Sequence, residues 1–164
     1  MVERLRIVVG SDQAGHAYKE ALAADLRSSV LVSSVTDVGV DARGGAVYPE
    51  VAFAAAQMVA AGAADRGVLV CHTGLGIAIA ANKVRGVRAV TAHDPLSIRH
   101  AVLHNNAQML ALGQGVVGLG LARELVRQWM TYRFDVTSSA AAKLALITDF
   151  ENRPEGRQED RHAH

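Results

Sequence analysis

The chain has 164 residues, half of them hydrophobic but only 4% aromatic, and its 17 Lys and Arg against 16 Asp and Glu leave a formal net charge of +1. That length suits one domain with a sizeable core, and the near-neutral charge gives no electrostatic case for nucleic acid or a membrane surface. One cysteine, Cys71, excludes an internal disulfide and fits a reducing compartment. The first residues carry no signal-peptide pattern and no apolar run is long enough to span a bilayer, so the expected location is cytoplasmic.

Arg6–Gly10 (RIVVG) reads as a buried first strand, and Ser11–Gly15 as a turn in which Asp12 can cap the next helix. Residues 16–28 have helical spacing, with Tyr18, Leu22 and Leu26 at successive i+4 positions. Val30–Val38, rich in β-branched residues, reads as the second strand, and a Gly-rich loop runs on to Tyr48. Pro49 then opens a strong helix that Gly62 ends. Gly67–Cys71 is the third strand, Ile77–Val84 a short helix and Val87–Ala92 the fourth strand. His93-Asp94-Pro95 leads into a helix from about Leu96 to His104, and Ala107–Leu112 is the fifth strand. Two further helices cover Leu119–Phe134 and Ser138–Phe150. Residues 1–151 are expected to form a single domain. The charged segment 152–164, which contains Pro154 and has no periodicity, is expected to be a mobile tail.

Strand and helix alternate five times. That pattern argues for a three-layer α/β/α, Rossmann-like fold around a five-stranded parallel sheet. Right-handed crossovers would then set the loops after strands one, three and four on one sheet edge, with Asp12, Cys71 to Gly76 and His93-Asp94 along it.

The densest chemistry lies in GVLVCHTGLGIAIAANK, Gly67–Lys83. An apolar strand stops at Cys71, a small glycine-spaced turn comes next (Thr73, Gly74, Leu75, Gly76), and a helix opens. Ligands of α/β proteins sit at such strand ends. The free N–H groups of turn and helix start favour anions, and a thiol beside such groups ionises more readily. The segment thus offers a base or nucleophile next to an oxyanion hole. The bland reading is a small buried hydrophobe at a strand end. The turn is not GxGxxG, and no acidic residue ends strand four where a ribose would need one, which argues against NAD. His104 comes after a helix, where a histidine commonly interacts with the last carbonyls. His100 and His104, four apart, could face the same way, but neither HExxH, a cysteine pair nor a spaced carboxylate accompanies them, so no metal is expected. His162 and His164 lie in the tail and carry no pattern.

Taken together, three stretches resemble the ribose-5-phosphate isomerase B and galactose-6-phosphate isomerase family: VVGSDQAG (Val8–Gly15), DRGVLVCHTGLGIAIAANKVRGVRAVTAHDP (Asp65–Pro95) and HNNAQMLALGQGVVG (His104–Gly118). The resemblance covers roughly residues 5 to 150. LVSSVTDVGV, GVRAVTAHD and MTYRFD look like a branch that includes fungal members and four-carbon sugar-phosphate isomerases. The resemblance implies an aldose–ketose isomerisation of a sugar phosphate, of the ribose 5-phosphate type or on a tetrose phosphate, without metal or organic cofactor. Cys71 would be the base, passing through a cis-enediolate. Thr73 and the N–H groups of Gly74, Leu75 and Gly76 would stabilise the enediolate oxygens, one such donor being worth about 3 kcal/mol. His104 would open the sugar ring. Asn105 and Asp12 would bind the substrate, with Gln13 and His72 beside them. The family builds its sites across a homodimer interface, so His104 would come from the partner subunit; whether such dimers pair further into tetramers stays open.

The chain departs from that pattern at one end. The family has histidine where this chain has Gln13, glycine where it has His72, and arginine where it has Gly115; two further family arginines fall on Ser138 and Ala142. Each lost charged hydrogen bond is worth roughly 1.5–3 kcal/mol. Three readings stay open: Arg99, Arg133, Lys143, Arg153 or His72 substitutes; the substrate is shorter or unphosphorylated; or the protein only binds a sugar. A thiol-based redox sensor using Cys71 is a further alternative, without a resolving cysteine.

Overall fold

The computed structural model describes residues 3–41 and 43–154. β1 (Leu5–Ser11) leads through a 3-10 turn (Gln13–Gly15) into α1 (His16–Arg27), and β2 (Val32–Asp37) is followed by α2 (Tyr48–Ala60). Next come β3 (Arg66–Cys71), α3 (Leu75–Ala81), β4 (Ala89–Thr91), α4 (Pro95–Leu103), β5 (Met109–Gly113), α5 (Leu119–Trp129) and α6 (Ala140–Glu151). The five strands form one all-parallel sheet in the order β2-β1-β3-β5-β4. Its C-terminal edge therefore gathers the loops after every strand, as the alternation of elements implied.

The period-2 alternation of strand side chains decides which layer each residue joins. Val9, Val68, Val70, Leu110 and Leu112 pack with Leu22 and Leu26 of α1, Ile98 and Val102 of α4, and Leu125 and Trp129 of α5. Val8, Leu69, Cys71, Met109 and Ala111 face the other way, onto Ala52, Ala55 and Ala56 of α2 and Ile77 and Ala78 of α3. The alanine-rich second layer lets α2 and α3 lie close to the sheet. Burying each large side chain of these layers contributes about 1.5–3 kcal/mol.

Three of the elements that are shorter than their sequence patterns suggest end or begin where they do for a polar reason. The helix expected to reach Phe134 stops at Trp129, because the buried Arg66 guanidinium takes the carbonyls of Trp129 and Tyr132, each at 2.6 Å. That guanidinium also lies 4.9 Å from the Trp129 ring centre. Burial lowers its pKa to about 10. The helix expected to reach Val84 ends at Ala81, where the Asn82 side chain donates to the carbonyls of Ala78 and Ala89 and accepts the Ala89 N–H. β4 begins at Ala89 rather than Val87, since the Arg88 N–H goes to the Gln108 side chain instead of a strand.

Among the described helices none is long and apolar enough to cross a membrane. The expected tail falls, beyond Pro154, outside the described residues, as do His162 and His164.

Candidate active site

β3 is the central strand and every residue of it is buried. It delivers Cys71, 5% exposed, to the C-terminal edge between the ends of β1 and β5. The chain turns back there through Gly74, whose φ of +78° is costly for residues with a Cβ. A Cβ on Gly74 would also stand 2.9 Å from the Leu112 carbonyl carbon. This tight return brings the Gly74 N–H to 3.1 Å from Cys71 Sγ, a donor placed where negative charge on sulfur needs one. Thr73 Oγ1 accepts the Leu75 N–H at 3.3 Å, and the Thr91 hydroxyl donates to the Gly74 carbonyl at 2.6 Å. Of the three N–H groups expected to face an enediolate, that of Gly74 is thus directed at the thiol and that of Leu75 at Thr73.

Both neighbouring strands press on this turn. A Cβ on Gly15 would lie 2.3 Å from the Val70 carbonyl oxygen, so the turn after β1 touches the end of β3 directly. Asp12 is half-buried and caps that turn, its Oδ1 accepting the Gly15 N–H at 3.1 Å. Gln13 is exposed, and its Oε1 reaches the loop after β2 beside Gly44. On the other side, β5 continues pairing past its last strand residue. The Gln114 N–H donates to the Cys71 carbonyl and the Gly115 N–H to the His72 carbonyl, both at 2.9 Å. The Gly113 N–H donates to His93 Nε2 at 2.9 Å. His93 can accept that bond only as the neutral imidazole carrying its proton on Nδ1. Burial lowers its pKa, with the Asp94 charge opposing the shift.

One residue at this sheet edge escaped the sequence reading. Tyr48 begins α2, is 39% exposed, and lays its ring against Gly76 at the start of α3, where a Cβ would be 2.8 Å from Cζ. An aromatic directly before a helix-opening proline, on a loop reaching the same sheet edge, was the available signal.

His104 and Asn105 lie elsewhere. α4 runs back from the C-terminal edge, so its C-cap, His104, sits at the edge where Gly67 pairs with Met109. Gly67 and Cys71 are four positions apart along β3, roughly 13 Å of strand. Within one chain the structure therefore does not bring His104 to Cys71. His104 stacks on His100 with ring centres 4.4 Å apart. With Asn105 it lines a cavity of about 170 Å³ closed by Ser139, Ala140, Lys143, Leu144 and Ile147. Among the described residues no three His, Cys, Asp or Glu side chains gather in a metal-ligating group.

A family model described as Ribose/Galactose Isomerase matches residues 7–147. The chain is 55% identical over 148 residues to D-erythrulose-4-phosphate isomerase 2 of Mycolicibacterium smegmatis, covering 90% of this chain and 97% of that one. It is 38% identical over 130 residues to ribose-5-phosphate isomerase B of Escherichia coli, covering 79% and 86%. The solved ribose-5-phosphate isomerase B of Clostridium thermocellum superposes with a TM-score of 0.84 at 37% identity, covering 89% of this chain and 97% of that one. Sequence and backbone agree over nearly the whole domain, and the chain belongs to the ribose/galactose isomerase family of sugar-phosphate isomerases.

Proposed function

We propose that the protein interconverts an aldose and a ketose of a four- or five-carbon sugar phosphate, with Cys71 as the base and without a metal or organic cofactor. The observation that carries this is the Cys71 thiol at the C-terminal sheet edge with the Gly74 N–H 3.1 Å from its sulfur. The thiolate takes the proton from C2 of the aldose, and the electron pair enters the C1–C2 bond of a cis-enediolate. The thiol, whose proton exchanges with water while the enediolate persists, returns a proton to C1, while the O2 proton is passed to O1 and the carbonyl reappears at C2. Nothing is oxidised or reduced overall. In this reading Thr73 and the Gly76 N–H hold the enediolate oxygens, and Asp12, Gln13, Leu75 and Tyr48, from loops and helix starts of the same sheet edge, bind the substrate.

The site is completed by His104 and Asn105 of a second copy of the chain. Two observations support a homodimer. His104 and Cys71 stand at opposite sheet edges of one chain. In addition, α6 buries only Ala140 and leaves Leu146, Ile147 and Phe150 exposed at 70%, 55% and 72%. Such a run of apolar side chains is costly in water and suits a partner surface. His104 would open the ring of a five-carbon substrate. A four-carbon 4-phosphate has its C4 oxygen in the ester, cannot close a furanose, and needs no such step.

Solvent-hydrogen exchange into tetrose and pentose phosphates tests the chemistry. Exchange at the carbon beside the carbonyl is expected for the wild type and not for Cys71→Ala, whose turnover should drop by at least about a hundredfold, the scale of a positioned acid–base group. Full activity in Cys71→Ala refutes the mechanism. A second reading, a sugar-binding protein without turnover, is motivated by the few basic side chains at the site, and lack of any exchange by the wild type would favour it.

A further inference from the structure

His72 is the one residue of the Cys71–Gly76 turn that the isomerisation leaves without a task, and its surroundings give it one. The β3–β5 pairing that continues past the sheet sets residues 72 and 115 side by side, through the Gly115 N–H donating to the His72 carbonyl at 2.9 Å. The imidazole then lies on the Gly115 Cα. A Cβ placed there would be 2.2 Å from Cε1, 2.6 Å from Nδ1 and 2.9 Å from Nε2, and the ring supplies all three nearest atoms. A glycine at 115 is thus the seat of the ring, and any side chain at 115 would have to displace it.

The ring's charge type is scarce at this edge. Among the described residues of the five loops that come after the strands, the basic side chains are Arg43, His72 and His93. Arg43 Nη2 lies 3.4 Å from Asp41 Oδ2. His93 spends Nε2 on the Gly113 N–H. The basic side chains nearest in sequence to these loops are also engaged: Lys19 is held by Asp37 at 2.8 Å and Glu20 at 3.0 Å, and His16 lies 3.7 Å from Glu20. His72 is exposed, adjacent in sequence to the thiol, and no side-chain hydrogen bond or ion pair of its own is formed among the described residues. A phosphomonoester carries two negative charges and three acceptor oxygens, which match an open imidazole N–H.

We infer that His72, seated on Gly115, is a specificity-determining residue that binds the phosphate end of the substrate. This rests on the proposed isomerase function and adds the group by which the chain distinguishes a phosphorylated sugar from a free one.

Steady-state kinetics with matched phosphorylated and free tetroses and pentoses read this out. In His72→Ala the KM for the phosphorylated sugar should rise roughly tenfold or more, the loss of one charge-assisted hydrogen bond. Its kcat should stay within a few-fold and the free sugar should be unaffected. Gly115→Ala, which evicts the ring, should raise KM in the same way. The double variant should be no worse than His72→Ala, because both changes remove one contact. A direct readout is the NMR signal of the His72 Cε1 proton, assigned by its loss in His72→Ala. Titrating inorganic phosphate into wild type and Cys71→Ala should move it, whereas chloride at equal ionic strength should not. An active enzyme whose KM ratio is unchanged in His72→Ala, or a resonance that phosphate leaves in place, overturns the assignment. A wild type inactive on every sugar phosphate overturns the isomerase function instead, and the phosphate titration still decides His72.

Discussion

Gly15→Ala tests how closely the Cys71 thiol proposed as the base depends on the turn after β1. Gly15 has φ of −105°, which alanine adopts without strain, so the whole effect comes from contact. The new Cβ would start 2.3 Å from the Val70 oxygen, 2.5 Å from its carbonyl carbon and 2.9 Å from the Cys71 nitrogen. Ordinary van der Waals contact begins at 3.4 Å, so turn and strand must part by about 1.1 Å. Neither partner is a flexible side chain, since all three atoms are backbone of the central strand. Overpacking of this kind costs about 1–3 kcal/mol, which for a chain of this size lowers the melting temperature by roughly 2–12 °C. The displaced atoms include the Cys71 amide, and a misplacement of about 1 Å at a reacting group costs on the order of a hundredfold in rate. Urea unfolding and initial isomerisation rates on one preparation give both numbers. Gly115→Ala is the control, since the three atoms nearest its Cβ all belong to the exposed His72 ring, which can rotate away, and its unfolding midpoint should match the wild type. A Gly15→Ala protein with wild-type midpoint and a rate within twofold would refute the contact argument.

The shared site can be tested by complementation. Assayed on a pentose phosphate, Cys71→Ala and a His104→Ala/Asn105→Ala chain should each be inactive alone, but co-expressed with different tags they should recover about a quarter of wild-type activity, because half the dimers are mixed and each mixed dimer rebuilds one of two sites. No recovery in verified mixed dimers would place both half-sites in one chain, against the separation of Cys71 from His104. His93 should make stability pH-dependent. Its folded pKa lies below the ordinary 6.5 because of burial, so the unfolded chain binds more protons below that pH. Its contribution is whole above about pH 6.5 and is lost as pH falls through the folded value. His93→Gln, which can still accept the Gly113 N–H, should show a shallower fall of the urea midpoint between pH 7 and 5, and an unchanged slope would count against the assigned acceptor role.

Local information settled the framework. The 2- and 3.6-residue periodicities, the helix-opening Pro49 and the terminating Gly62 are properties of short segments, and all five strands and six α-helices stand within a few residues of where those patterns put them. Alternation then dictated a parallel sheet, and a parallel sheet gathers its loop ends on one edge, so the proximity of Asp12 to the Cys71 turn was already implicit. Element ends were less legible when a distant side chain set them: Arg66 stopping α5 across 63 residues of sequence is invisible to any local window. Tyr48 over Gly76 and His72 over Gly115 are likewise pairs of distant residues whose meeting depends on strand order and register. The direction of α4 mattered most. Sequence placed His104 at a helix end, but only the packed sheet decided that this end faces away from Cys71, because a helix returning from one edge must finish at the other. Residue type and spacing thus determined the chemistry available to the chain, while tertiary contact decided which groups stand together at one sheet edge and which stand at the other.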